Sequence, residues 1–499
     1  MLIEDLYAHA ESRGSHPAVV FRDERLSWAD LRDRTERLAQ GLAAVGIGPG
    51  DPVALLLANS PAYVISALAI GGLGGIVVPL NPQFKQEEID FYLRNCGVRG
   101  VIGDEHGIAV AARIAEESGE DLALITTGAP GSGTQSFDGL IDGHPGLPLA
   151  ARSPDENLVF MYSSGSTGRP KRVARTHGMC RAEAVSYEVS MAINAADRIF
   201  CAIPLFHTYG QGNCLFTAIR TGATLVILEE PNPFSLRRER ALELLEQHGV
   251  TIFPGVPFNF RLLADAPQEA DLSALRLCYS AGTALPEPVF RRFLERFGIP
   301  VRQLYGCTEA GVITINVDED PVPTAASVGA PAHGMTVEVL DDDDVPVPAG
   351  AVGSVAISGA PLTRGYADLP ELNREVFRDG RYFTGDLGRL DDEGRLFLTG
   401  RKKLYIEVAG NKVDPIEVED VLIAHPKVRE AVVVGVKGSV DGEEVVKAAV
   451  VPHDGCEQRE LIDFCRQRLA NFKVPQVVEF REEIPKSPLG KILRKYLIE

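Results

Sequence analysis

Residues 162–172 read YSSGSTGRPKR, and the meaning of this short stretch decides how the chain is understood. Ahead of it, residues 157–162 (NLVFMY) are apolar enough for a buried strand, and beyond it residues 176–190 have the composition of a helix. The pattern predicts a loop joining strand to helix, stocked with the hydroxyls of Ser163, Ser164, Ser166 and Thr167, the glycines Gly165 and Gly168, and the cation Lys171. Small donors and a charge in such a place suit a phosphate group. The GxxxxGK[ST] spacing of a Walker A loop is absent. A flexible linker would share the Ser/Gly richness, but not the flanking elements or the Pro-Lys exit.

Outward from the loop, residues 18–103 alternate strand and helix. Ser27 with Asp30 forms a capping-box pattern, Leu31, Leu38, Leu42 and Val45 share one helical face, and Gly46 marks a stop. VALLL, IVVPL and GVI read as strands, Ser60-Pro61 as a helix start, and residues 86–96 as a helix. Such alternation implies a parallel sheet covered on both faces. It resumes over 157–317, and residues 325–398 then turn to short alternating runs rich in Gly, Pro and Val. Past Arg401, Asp414 and Pro415 cap a helix, and AVVVGV and VVKAAVV follow as strands. The predicted fold is α/β. A large N-terminal domain of doubly wound sheets spans 1–402, with a β-rich subdomain over about 325–398, and a small mobile α+β domain spans 403–499.

The 499 residues exceed one compact core. A net charge of −19 argues against a nucleic-acid partner, and residues 401–499 hold 17 cations and 17 acids, so the whole excess lies before them. The charge-free run 53–84 is broken by Pro61 and by Gly71, Gly72, Gly74 and Gly75 into pieces too short to span a membrane. No signal peptide is recognisable at residue 1, and eight scattered cysteines without CxxC pairs read as reduced thiols. A cytoplasmic protein is expected. Cys307 has no neighbouring histidine to make it a nucleophile.

With the loop stand SAGTALP (280–286), LYGCTEAG (304–311), YFTGDLG (382–388), GRKKLYI (400–406) and PKSPLGKILRK (485–495). Six segments in this order resemble the adenylate-forming superfamily of acyl- and aryl-CoA ligases, luciferases and peptide-synthetase adenylation domains, and lie closest to the acyl-CoA synthetases. The resemblance covers almost the whole chain. It implies ATP, Mg²⁺ and coenzyme A as reactants or cofactors, and two half-reactions in which an acid becomes an acyl adenylate and is then passed to a thiol while one domain changes face.

By the same resemblance, Ser163, Ser164, Gly165, Ser166, Thr167, Gly168 and Lys171 hold phosphate, and Gly282, Thr283 and Ala284 meet adenine. Tyr305 offers a ring to stack, Thr308 a hydroxyl for the α-phosphate, and Glu309 a carboxylate for Mg²⁺. Asp386 takes the ribose hydroxyls, in what reads as a tight turn, and Arg401 the ribose or phosphate. Lys491 supplies positive charge where the acid attacks phosphorus, Lys403 is the hinge, and Gly410 lines the path of the pantetheine thiol. His207, in PLFHTYG (204–210), sits by the acid's carboxylate.

No aspartate in that segment could pair with an amino acid's ammonium, and TIFPGVPFNF (251–260) is apolar, so a hydrophobic carboxylic acid is expected. Alternatives are loading of a carrier protein's phosphopantetheine arm, or a nucleotide-binding protein without turnover. A homodimer is the default assembly. Departures from the family pattern are Arg172, which would stiffen the loop or add a phosphate contact, together with Arg381, Leu404 and Ala409.

Overall fold

The computed structural model describes all residues except 164–169, 230–233, 402–405, 409–410, 439–443, 454, 470, 488–491 and 499, and gives only the backbone at 407, 411, 412, 444 and 495. Two sheets account for most strands before residue 332. The first has seven, in the order Gln135–Ser136, Ala123–Thr126, Gly100–Gly103, Pro52–Leu56, Ile76–Pro79, Asn157–Ser163 and Lys171–Thr176. Every neighbouring pair is parallel except the last. The second has nine, and its parallel centre runs Val301–Cys307, Leu277–Ser280, Ile252–Gly255, Arg198–Cys201, Thr224–Ile227 and Pro17–Phe21.

Continuous apolar runs form these strands because both of their faces are covered: Val53, Ala54, Leu55 and Leu56 are fully buried. Helix Trp28–Ala44 begins at the expected Ser27–Asp30 capping box and buries Leu31, Leu38 and Leu42, with Val45 only partly covered. It stops before Gly46, whose φ of +89° suits glycine. Helix Pro61–Leu73 starts with the Ser60 side chain accepting the Tyr63 amide and is buried on nearly every side, which explains its lack of charge. No described helix is long and apolar enough to cross a membrane.

One sequence expectation fails at the opening stretch. Strand Asn157–Ser163 does not lead through its loop into a helix; it pairs antiparallel with strand Lys171–Thr176, placing Ser163 opposite Lys171. The helix His177–Met191 starts only after that second strand, capped by the Thr176 side chain on the Met179 amide. Arg175 hid the alternation, because it points inward beside fully buried Val173 and is itself 1% exposed. The flanking strands therefore form a hairpin, and the next described helix begins only at His177.

Residues 335–401 contain a five-stranded sheet built around Gly353–Gly359 and Arg381–Leu390, with Leu396–Arg401 antiparallel to the latter. By contacts the chain divides into two compact units, one essentially of residues up to 337 with 357–382, the other essentially of 338–356 with 383–499. In the second, Asp414 caps helix Pro415–Ile423 through the Ile416 amide. Strands Val428–Lys437 and Glu444–Pro452 pair antiparallel, and Val477–Phe480 adds a parallel third. Their core is apolar, including Val418, Leu422, Val433, Val446, Val450 and Leu461.

Candidate active site

In an open parallel sheet, ligands meet the carboxyl ends of strands. Strand Leu277–Ser280 ends there in Ala281 and Gly282, and the +87° φ of Gly282 turns the chain so that Gly282, Thr283 and Ala284 are exposed. The Leu285 amide donates to Gln303 Oε1 (3.0 Å), fixing this segment to the next strand. That strand, Val301–Cys307, folds back on Gly311–Ile315, with Cys307 opposite Gly311 at φ +74°. Thr308 and Glu309 occupy the tip, and Tyr305 lies at the strand's end, 9% exposed.

Glu309 is 5% exposed, and its Oε1 accepts the hydroxyl of Tyr366 at 2.6 Å. Tyr366 and Tyr382 hydroxyls stand 3.0 Å apart, and Lys171 Nζ lies 4.7 Å from the centre of the Tyr366 ring. Burial first, and then the Glu309 charge, raise both phenols well above their ordinary range, so each remains a donor. Lys171 and Glu309, assigned separately to phosphate and metal, thus share one tyrosine.

Neither Tyr366 nor Tyr382 was singled out from the sequence. Tyr366 stands in GYADLPE (365–371), where no period marks it. Its backbone is locked by Asn373, whose Oδ1 accepts the Tyr366 amide while Nδ2 donates to the Tyr366 carbonyl, both at 2.8 Å.

His207 caps the short helix Thr208–Gly210, its Nδ1 accepting the Tyr209 amide at 3.2 Å. In the neutral ring this assigns the proton to Nε2. Tyr209 donates to the Gly255 carbonyl (3.0 Å), tying PLFHTYG to the apolar strand Ile252–Gly255. Arg172 pairs through Nη2 with Asp368 (2.9 Å), and its guanidinium lies over Phe160. The Cys307 thiol is pushed well up by burial and then by Glu309, which favours its neutral form.

In the second unit, Asp386 lies within strand Arg381–Leu390 and not in the expected turn; Gly385, at φ +77°, supplies the local twist that made the segment read as one. Asp386 is opposite Arg401, whose Nε donates to Oδ1 at 2.5 Å. The carboxylate is largely buried while the Arg401 side chain is 48% exposed. Ser164, Gly165, Ser166, Thr167, Gly168, Lys403, Leu404, Ala409, Gly410 and Lys491 lie outside the described residues. Among the described residues no group of three or more His, Cys, Asp or Glu could hold a metal ion. A lone buried carboxylate such as Glu309 still fits Mg²⁺, which usually takes one or two carboxylates plus substrate phosphates.

The first unit thus offers glycine-lined strand ends and a Thr-Glu hairpin, and the second an Asp–Arg strand pair, on an α/β fold. Residues 6–367 match the model of the AMP-binding enzyme family and residues 417–491 that of the AMP-binding enzyme C-terminal domain. A feruloyl-CoA synthase of Amycolatopsis is 35% identical over 94% of this chain and 92% of its own. A long-chain-fatty-acid–CoA ligase of Bacillus subtilis is 32% identical over 97% and 91%. Among solved structures, ATP-bound MatB from Rhodopseudomonas palustris superposes with a TM-score of 0.90 at 26% identity, covering 100% of this chain and 98% of that one. An anthranilate CoA ligase holding anthranoyl-AMP gives 0.88 at 28%, covering 99% and 96%.

The chain belongs to the AMP-binding enzyme family. Its activity is that of an AMP-forming acid:thiol ligase, which converts a carboxylic acid and ATP to an acyl adenylate and then to the CoA thioester.

Proposed function

We propose that the acid is hydrophobic, with an aromatic or extended apolar body. The observation that carries this is the composition of two segments that Tyr209 ties together: PLFHTYG (204–210) contributes no carboxylate, and TIFPGVPFNF (251–260) is apolar, with Ile252, Phe253, Val256 and Phe260 buried. Relatives named for feruloyl, long-chain fatty and indoleacetate substrates support the same class. His207, with its proton on Nε2, donates toward the acid's carboxylate.

Tyr366 holds the Glu309 carboxylate in place, and Mg²⁺ there would neutralise phosphate charge as pyrophosphate leaves. Gly282, Thr283, Ala284 and Tyr305 receive adenine, Thr308 and Lys171 contact phosphate, and Asp386 with Arg401 binds the ribose. Lys491 stabilises charge at the reacting phosphorus, Lys403 is the hinge of a domain beginning there, and Gly410 clears the thiol's path. Free CoA, not a carrier protein, is the acceptor. A homodimer working in the cytoplasm agrees with eight free cysteines as regards compartment.

The test is pyrophosphate release from ATP and Mg²⁺ with aryl, fatty and polycyclic acids, with and without CoA. Release that depends on one apolar acid and yields its CoA thioester is expected. Equal turnover of small charged acids sinks the hydrophobic assignment, and an adenylate that CoA cannot discharge points to a carrier protein.

A further inference from the structure

Beneath the Thr-Glu hairpin lies an ion pair that ligand binding does not explain. Arg175 Nη1 donates to Glu183 Oε2 at 2.6 Å, and each side chain is 1% exposed. Burial is the largest influence on Arg175 and lowers its pKa, but the Glu183 charge, its hydrogen bond and the nearby thiols together outweigh it and keep the guanidinium charged. Burial pushes the Glu183 carboxyl up against the Arg175 charge. Removing two charges from water costs several kcal/mol per ion, so such a pair is a poor device for stability alone.

Its partners show what else it does. Arg175 Nη2 reaches the carbonyls of Ala310 (3.4 Å) and Pro361 (3.2 Å). Ala310 follows Glu309, and Pro361 opens the segment that delivers Tyr366 to Glu309. The same segment is fastened again by Thr363, whose hydroxyl donates to the Ala174 carbonyl (2.7 Å) and whose amide donates to the Glu309 carbonyl (2.8 Å). Backbone and side chain of Glu309 are thus both referenced to Arg175 and its neighbour.

Glu183 faces the opposite direction too. A Cβ on Gly311 would collide with its carboxylate, and so would one on Gly212. Gly212 belongs to the π-helix Gln211–Phe216, which continues directly from the His207 segment. π-Helical turns are rare and cluster at functional sites. Two glycines therefore admit one carboxylate between the acid-side helix and the nucleotide-side hairpin.

The geometry points to Arg175 and Glu183 as positioning residues that hold Glu309 in fixed relation to the acid-side helix, so that their loss lowers the adenylation rate more than substrate affinity. This rests on the reading of Glu309 as the carboxylate of the adenylation site.

The test is the double variant Arg175→Met/Glu183→Leu beside Glu183→Gln and wild type. The apolar pair removes both buried charges and so preserves folding where a single deletion strands one, but it cannot bond the Ala310 and Pro361 carbonyls. Acid-dependent pyrophosphate release at 25 °C should fall at least about tenfold in kcat, with the KM values of acid and ATP within about threefold. Half-saturation by Mg²⁺ should move to higher concentration, and Tm should stay near wild type. Wild-type kcat and Mg²⁺ dependence in a folded double variant overturn the inference and leave the functional reading intact. If the double variant fails to fold, a folded Glu183→Gln decides by the same two readouts. A wild type that releases no pyrophosphate with any acid overturns the functional reading and this inference together.

Discussion

Two arginine–carboxylate pairs, one in each unit, share the same chemistry and differ in burial. Arg175–Glu183 is 1% exposed on both sides and Arg175 also bonds two backbone carbonyls, while Arg401–Asp386 joins a largely buried carboxylate to an arginine that is 48% exposed. The first has exchanged water for fixed backbone partners. The second keeps one face in water and can trade its contacts for a ligand's. Burial, not residue identity, separates the pair inferred to position from the pair proposed to bind.

Breaking one side of each pair gives the sharpest contrast. Glu183→Ala should cost roughly 3–5 kcal/mol of stability by leaving a buried charge unpaired, whereas Asp386→Ala should change stability by less than about 1 kcal/mol. Chemical denaturation of both variants checks this, and equal losses would dissolve the distinction.

The histidines extend the comparison. His177 is buried with neither ring nitrogen hydrogen-bonded among the described residues, and burial lowers its pKa to about 4 from an ordinary 6.5. The folded pKa lies below the unfolded one, so its contribution is fully present above pH 6.5 and is lost as pH falls through 6.5 toward 4. The loss approaches about 3 kcal/mol. His177→Phe should flatten that part of a stability–pH curve, and an unchanged slope would refute the assignment.

In binding, the order reverses. Asp386→Ala should weaken ATP by roughly 10- to 100-fold, the worth of hydrogen bonds to a charged group, as read by calorimetry. Tyr366→Phe should leave the fold intact and lower kcat for pyrophosphate release by about tenfold, since it deletes a single bond to Glu309. The smallest effect expected is Arg401→Ala on thermal stability, within about 1 kcal/mol for a half-exposed partner.

Several residues proposed for the site stand together because they come from short contiguous segments. Thr308 and Glu309 share one hairpin tip, Gly282, Thr283 and Ala284 one strand end, and Asp386 and Arg401 face each other in register. Tyr366 escaped notice because its partner is 57 residues away, and contact at that separation leaves no period in the sequence. The opening stretch misled in one respect, since an inward-facing Arg175 disguised a strand and made a hairpin loop look like the start of a helix.

The sequence by itself determined the class of fold, the capped helices, the buried charge-free core and the residue types offered to a nucleotide, because period, caps and glycines act locally. Tertiary structure alone decided that Lys171, Tyr366 and Glu309 meet, and that one Arg–carboxylate pair is sealed while the other stays wet. Burial is a property of what packs above a residue, and for Arg175 those atoms come from positions 310 and 361, far along the chain.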